Sequence, residues 1–307
     1  IGQEYDVGDY EGALDLVLAA ANYADLRKEQ ASRRARGDRN QLGIGVSVYV
    51  EITSGGTNHE DARIEVLPDG RAIVYTGTSP HGQGHVTAWS MIASEHTGIA
   101  MDKIDVVWGD TDLIPEGKGT YGSRSLQLGG AAVHETAIKL VEQAKIFAAT
   151  QLEAAESDIV LDKERGVFHV AGTPAKSTSW GDLASSRANN GGLAYAHRFT
   201  SGGATFPFGA HVAVVEVDTE TGKVTHLRQI ACDDAGTVLN PLLLEGQIHG
   251  GIAQGSAQAL LEEFVYDADG NPKTGNLAEY AFISAVEAPQ IELVAMATAT
   301  PRNPLGA

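Results

Sequence analysis

Apolar residues occupy every second position at Ile44, Val46, Val48 and Val50, a period that predicts a strand over 42–53. Two shorter runs, 62–66 and 72–75, flank Pro68-Asp69-Gly70 and predict a hairpin. A helix is predicted over about 86–98 and a short strand over 104–108. Upstream, residues 12–36 read as helical with a break near Asn22, and Asp9 is placed to cap the helix start near Glu11. Val133, Ala137, Leu140, Val141, Ala144 and Ala148 recur at helical spacing and predict a long amphipathic helix ending near Glu153. Beyond it, 159–162 and 167–170 predict a small hairpin, 179–187 a short helix, and 200–208 a connector. A second clear hairpin spans 212–217 and 224–230, turned at 219–222. The polar loop 233–240 leads to Pro241 and a segment where Leu244, Ile248, Ile252 and Ala259 keep helical spacing despite Gly246, Gly250, Gly251 and Gly255. Each glycine costs a helix about 1 kcal/mol relative to alanine, so these four predict a close approach to that backbone. Stretches 279–285 and 291–296 read as final strands.

A hairpin, a glycine-rich passage and a helix thus occur in the same order twice, around Gln83 and around Gln254. The elements predict an α+β fold of mixed β-sheets with packed helices, in two similar subdomains, 1–155 and 156–307. Hydrophobic residues make up 43% of the 307, which is ample for a core. The 36 glycines show no period of three, which excludes collagen. No apolar run is long enough for a membrane span. No signal-peptide pattern opens the chain, and its start at Ile1 reads as a processed or fragmentary chain. A net charge of −18 argues against nucleic acid and anionic membranes as partners. Cys232 is the sole cysteine, so an internal disulfide and a multi-cysteine zinc site are excluded, and a cytoplasmic location is expected.

Candidate chemistry centres on Pro80-His81-Gly82-Gln83-Gly84-His85-Val86-Thr87, a glycine loop between a predicted strand and a predicted helix. Such a loop lets backbone N–H groups approach an anion, and the helix N-terminus adds a favourable dipole. By spacing alone a plain glycine turn with incidental polar side chains is slightly the better reading. His81 and His85 stand four apart but lack the intervening glutamate and third ligand of a zinc pattern, so no metal ligand is assigned. A second loop, Gly119-Thr120-Tyr121-Gly122-Ser123-Arg124-Ser125, offers small residues and hydroxyls for an oxyanion, and Arg124 is expected to pair with phosphate. Gln254 lies on the glycine-rich helical segment, as a buried hydrogen-bonding residue or as a ligand contact. The pairs Asp110/Asp112 and Asp233/Asp234 read as loop caps. No Gly-x-Ser-x-Gly elbow, Walker loop or Rossmann fingerprint is present.

Four ordered motifs carry a resemblance: residues 76–85, Gly109-Asp110-Thr111-Asp112, residues 119–125, and Glu245-Gly246-Gln247-Ile248-His249-Gly250-Gly251-Ile252-Ala253-Gln254-Gly255. With Val215-Glu216-Val217-Asp218 and residues 301–307, they resemble the xanthine oxidase family of molybdenum hydroxylases, most closely its carbon-monoxide-dehydrogenase-type large subunit, from about Tyr5 to Ala307. The resemblance implies a molybdenum–molybdopterin cytosine dinucleotide held by Gly82, Gln83, Gly84, His85 and Thr87, by Gly122, Ser123, Arg124 and Ser125, and by Gln254. It implies iron–sulfur clusters and FAD on partner subunits or domains, and a small substrate (carbon monoxide, an aldehyde or an N-heterocycle) oxidised with oxygen from water. The family's base is a glutamate in a Gly-x-Gly-Glu motif expected beyond the Pro-Leu-Gly-Ala at the end of this chain, and the earlier half of the large subunit is not in this sequence. The copper-holding cysteine of carbon monoxide dehydrogenases has no counterpart in Cys232. No catalytic residue is therefore assigned within the chain. It is expected to be the second half of a molybdenum subunit, inactive alone, with the N-terminal half of that subunit and the iron–sulfur and flavin subunits as partners. The competing expectations are a noncatalytic, truncated or diverged cofactor-binding module, and a glycine-rich binder of another nucleotide.

Overall fold

The computed structural model describes residue 2 and residues 4–307. In chain order the main elements are α1 (Tyr10–Ala20), α2 (Tyr23–Arg36), β1 (Asn40–Val50), β2 (His59–Val66), β3 (Ala72–Thr76), α3 (His85–Thr97) and β4 (Ile104–Val107). A π-helical turn, Ser125–Gly130, runs into α4 (Ala131–Gln151). Then follow β5 (Ile159–Asp162), β6 (Val167–Val170), β7 (Thr173–Ser179), α5 (Trp180–Arg187), β8 (Leu193–Thr200), β9 (Phe208–Asp218), β10 (Val224–Asp234), α6 (Pro241–Leu260) and β11 (Gln290–Leu293). Local chemistry sets the helix ends. Asp9 accepts the Gly12 N–H at 2.9 Å, Asn22 sits left-handed between α1 and α2, Ser179 and Asp182 form a reciprocal capping box, and Asn240 caps α6 ahead of Pro241.

The chain forms two compact units. One comprises the described residues of Ile1–Asp6 with Ile52–Thr205 and Ala299–Ala307; the other comprises Val7–Glu51 and Phe206–Thr298. This differs from a division at 155/156, which falls inside the first unit. The physical reason is non-local: β1 pairs along its whole length with β9, Asn40 opposite Asp218 and Val50 opposite Phe208, so the chain's beginning belongs with its end. Periodicity within a window carries no record of such pairing.

In the first unit the sheet order is β4-β3-β2-β8. β2 and β3 are the antiparallel hairpin, β4 returns parallel to β3 after α3, and β8 adds antiparallel to β2. One face of β2 (Glu60, Ala62, Ile64, Val66) is buried and packs on α4, whose Ala137, Leu140, Ala144 and Ala148 are fully covered. A small sheet, β5-β6-β7, joins this unit, with Phe168 set edge-on to Trp180 at 4.7 Å. In the second unit the order is β1-β9-β10-β11, and the relations repeat: an antiparallel hairpin β9/β10, a helix α6, a parallel return β11, and an antiparallel fourth strand β1. The twofold order seen in the sequence is thus a repeat of topology. Val17, Leu42, Val212, Val214, Ile230 and Cys232 lie in this unit's core. Burial, then Asp233 and Asp234, push the Cys232 thiol up, so it stays a neutral core group.

Some expectations are corrected. Stretch 279–285 forms no strand. Its flanks close on themselves instead: Asn276 Oδ1 accepts the Ala278 N–H, and Glu287 accepts the Ser284 N–H and hydroxyl. Such local bonds compete with sheet pairing. Strands β7 and β8 were not predicted, because their sequences lack a clean apolar alternation; β8 is a strand through its pairing with β2. The alternation in β1 is that of a strand, yet Val46 and Val48 are exposed.

The α3–α4 packing also sets a pH response. His96 Nε2 lies 2.9 Å from His134 Nδ1. Burial, then His134 and Lys163, bring the His96 pKa down to about 4 against the pull of Glu95, and burial lowers His134 as well. The unfolded chain therefore takes up protons first as the pH falls, so this contribution to stability is complete above about 6.5 and is lost on descent toward 4. We expect the urea midpoint of unfolding to drop between pH 7 and pH 5, and His96→Gln to drop less. Equal slopes in the two proteins would refute this assignment.

Candidate cofactor-binding site

Two glycine loops are brought side by side in the first unit. The first begins at Gly77, directly after β3, and the second includes Gly117 and Gly119. A Cβ on Gly77 would lie 2.3 Å from Gly117 Cα, and the Gly119 N–H donates to Gly77 O at 3.1 Å. Only paired glycines allow two backbones this close. The π-helical turn ahead of α4 completes the floor, where a Cβ on Gly129 would meet Thr78 Cγ2 at 2.7 Å.

Within the first loop, Gly82 is left-handed (φ +100°) and open, with no atom within 4 Å of an added Cβ. The His81 N–H donates to Gln83 Oε1 at 2.5 Å, which curls the loop. Gly84, also left-handed, is the N-cap of α3 and brings no side-chain cap. The N–H groups of that first turn are therefore presented without a side-chain cap among the described residues. His85 is buried, stacks on Trp89 with ring centres 5.1 Å apart, and lies with Nδ1 3.0 Å from Thr78 O. Burial lowers its pKa, so the ring is neutral near pH 7, and it donates Nδ1–H to that carbonyl. His85 thus braces the loop and offers an anion its backbone N–H, not a charge. Val86 and Thr87 are exposed. His81 is exposed whereas His85 is buried, so the two do not converge, and among the described residues no group of three or more His, Cys, Asp or Glu is placed to hold a metal.

In the second loop, Gly122 and Ser123 are exposed and left-handed (φ +55° and +53°). Ser125 donates its hydroxyl to Thr120 at 3.2 Å. Arg124 departs from its expected role as a phosphate partner. Its side chain is 0% exposed and its donors go to Glu60, Gly119 O, His59 O and Thr57. A positive charge in a loop sequence looks the same whether its partner is a ligand or a buried carboxylate.

A third segment was missed from sequence. Residues 53–57 lie against the second loop through the Ser54 N–H, which donates to Gly122 O at 2.6 Å. The segment is rooted in a buried network: Gln127 Nε2 donates to Thr53 Oγ1 at 2.6 Å, and the Thr205 hydroxyl donates to Gln127 Oε1 at 3.1 Å. Its signal was present as Ser54-Gly55-Gly56-Thr57 immediately after a predicted strand.

Gln254 stands in the second unit, exposed on α6, so the buried alternative for it does not hold. A Cβ on Gly246, Gly250, Gly251 or Gly255 would meet nothing within 4 Å, so no other segment among the described residues makes the close approach their presence predicted. The loop-cap expectation holds for Asp110, whose Oδ1 accepts the Asp112 and Leu113 N–H groups; Asp234 Oδ1 accepts the nearby Gly236 N–H but also that of Thr298, 64 residues away, so the second pair ties distant segments together. Asp233 Oδ1 accepts from Tyr49 at 2.7 Å and lies 2.8 Å from His211 Nε2. No helix among the described residues is long and apolar enough to cross a membrane.

Comparison with known proteins identifies the family of the chain. A family profile described as a molybdopterin cofactor-binding domain matches residues 16–289. The chain is 38% identical to the carbon monoxide dehydrogenase large chain of Hydrogenophaga pseudoflava, covering 100% of this chain and 40% of that protein. It is 36% identical to the gamma subunit of the 6-hydroxypseudooxynicotine dehydrogenase complex of Paenarthrobacter nicotinovorans, covering 99% and 38%. Among solved structures, reconstituted CO dehydrogenase from Oligotropha carboxidovorans superposes with a TM-score of 0.87 at 35% identity, over 100% of this chain and 40% of that one. Quinoline 2-oxidoreductase from Pseudomonas putida 86 gives 0.85 at 33% identity, over 99% and 41%. The chain spans about two fifths of the length of these relatives.

Proposed function

Because the chain belongs to the molybdopterin cofactor-binding domain family, we propose that it is the cofactor-holding portion of a molybdenum hydroxylase, and that its cofactor is the cytosine dinucleotide form of molybdopterin. The observation that carries the site is the glycine-loop entry to α3, with its N-cap unassisted by any side chain, set beside the exposed turn of the second loop. A phosphate suits such a helix end, and a flat pterin needs backbone without side chains in its way.

In this reading the N–H groups of Gly84, His85 and Thr87 face the anionic part of the cofactor, Gly82 leaves the space beside the loop free of a side chain, and Gln83 holds the loop curled. Gly122, Ser123 and Ser125 line the second wall. Gln254, on its own unit, is a further contact. The cofactor, when bound, supplies a redox-active molybdenum centre that accepts two electrons from substrate. This chain's residues bind and orient it. The substrate is proposed to be small (carbon monoxide, an aldehyde or an N-heterocycle), with the electrons leaving to iron–sulfur and flavin partners in the cytoplasm.

Denaturing the protein as isolated from its native host tests the assignment. Acid hydrolysis is expected to release cytidine monophosphate with molybdenum in equal amount. An adenine or nicotinamide nucleotide without molybdenum would overturn it. Gly82→Asp adds a negative charge beside the proposed phosphate and is expected to lower cofactor content about tenfold, as roughly 1.4 kcal/mol of repulsion does, whereas Gly82→Asn, of the same shape without charge, retains more.

A further inference from the structure

Arg124 and Glu60 form an ion pair with 0% and 1% of their side chains exposed. The guanidinium is shared among three segments. Nη1 donates to Glu60 Oε2 at 2.5 Å and to Gly119 O at 2.7 Å, Nη2 to His59 O at 2.8 Å, and Nε to Thr57 Oγ1 at 3.1 Å. Thr57 in turn closes the 53–57 segment, its N–H and hydroxyl donating to Ser54 O at 3.0 and 2.9 Å. Ser54 and Ser123 are both left-handed, at φ +68° and +53°. Residues other than glycine keep that conformation only where their surroundings over-determine it. Here the Ser54 N–H bonds to Gly122 O, one residue before Ser123, and the guanidinium fork fixes both segments from below. Glu60 reaches the first loop too, since a Cβ on Gly77 would lie 2.8 Å from its Oε1.

We infer that Arg124, clasped by Glu60, is a positioning residue that shapes segments 53–57 and 119–125 to receive the cofactor and does not touch the cofactor itself. The inference rests on the molybdopterin-binding reading above. Swinging Arg124 out to a phosphate would leave Glu60 charged and buried with no cation, which is costly. The geometry also requires an arginine, because a lysine is a single point charge and cannot bond a carboxylate, two carbonyls and a hydroxyl in one plane.

The test uses the complete molybdenum subunit with Glu60→Gln and Arg124→Lys. For a positioning role, each variant loses at least about fivefold of its molybdenum and cytidine nucleotide, and the double variant loses little more than either single one, as expected of residues acting as one unit. In cofactor-free protein, amide hydrogen exchange of 53–57 and 117–125 quickens in both variants while α4 stays protected. For a direct phosphate contact the signs reverse: Glu60→Gln frees the guanidinium and keeps or raises cofactor content, and Arg124→Lys keeps it. Either result overturns the inference, as does unchanged loop exchange. Should a charge variant fail to fold, Thr57→Val removes one acceptor and leaves the pair intact, and it must still quicken exchange. A wild-type subunit that carries no pterin nucleotide would sink the function proposed above, while the exchange data would still decide whether the clasp holds these loops.

Discussion

Glu60→Leu is expected to lower the unfolding free energy of the first unit by about 4 kcal/mol, the cost of leaving a buried guanidinium without its counter-charge. Arg124 would keep its bonds to Gly119 O, His59 O and Thr57, but three neutral acceptors do not replace a carboxylate held at 2.5 Å in a site closed to water. The expectation separates this pair from the exposed ones. Arg36–Asp38 is open to solvent on α2 and its flank, and removing it is expected to change stability far less than removing the buried pair, because water screens it. The double change Glu60→Leu with Arg124→Met should recover more than half of the single loss, since well-packed apolar groups of similar volume replace a buried pair at little cost. Scanning calorimetry on the single and double variants is the measurement. A Glu60→Leu protein within about 1 kcal/mol of wild type would mean that water reaches the pair.

Gly77→Ala is expected to cost about 3 kcal/mol and most of the bound cofactor, because the added methyl overpacks a contact that cannot yield. It meets Gly117 Cα at 2.3 Å, Glu60 Oε1 at 2.8 Å and Gly117 C at 3.2 Å. The two Gly117 atoms belong to backbone, so relief requires the two loops to part and the Gly119 N–H to leave Gly77 O. The converse change, Gly117→Ala, meets Gly77 Cα at 2.6 Å and should behave alike. Gly82→Ala is the informative control. Its methyl enters open space and its penalty is only that of a left-handed backbone, about 1–2 kcal/mol. Calorimetry and molybdenum content, read together on the three variants, check the ranking. A Gly82→Ala protein damaged as badly as Gly77→Ala would show that backbone conformation, and not the closeness of the loops, dominates.

These two expectations come from contacts that no local reading of the chain contains. Most helices and hairpins were legible because their causes are local: the 3.6-residue period of α4, Asp9 as a cap, Pro241 at the start of α6, the Pro68-Asp69-Gly70 turn. Where local side-chain bonds compete, the same reasoning failed, as at 279–285. Where a strand exists through its neighbour, as with β8 beside β2, there was no apolar alternation to read.

The site divides in the same way. The two loops and their glycines stood out in the sequence, and four ordered motifs sufficed to place the chain near its family, because glycine at a turn and small residues before a helix are properties of a few adjacent residues. Tertiary structure alone decided that Gly77 and Gly117 touch, that 53–57 belongs with the second loop, and that the chain's first strand belongs with its end. It also decided the role of Arg124, whose partner Glu60 lies 64 residues away. An arginine's charge is the same in every sequence; whether a carboxylate or a ligand neutralises it depends on which segments the fold brings within three ångströms of it.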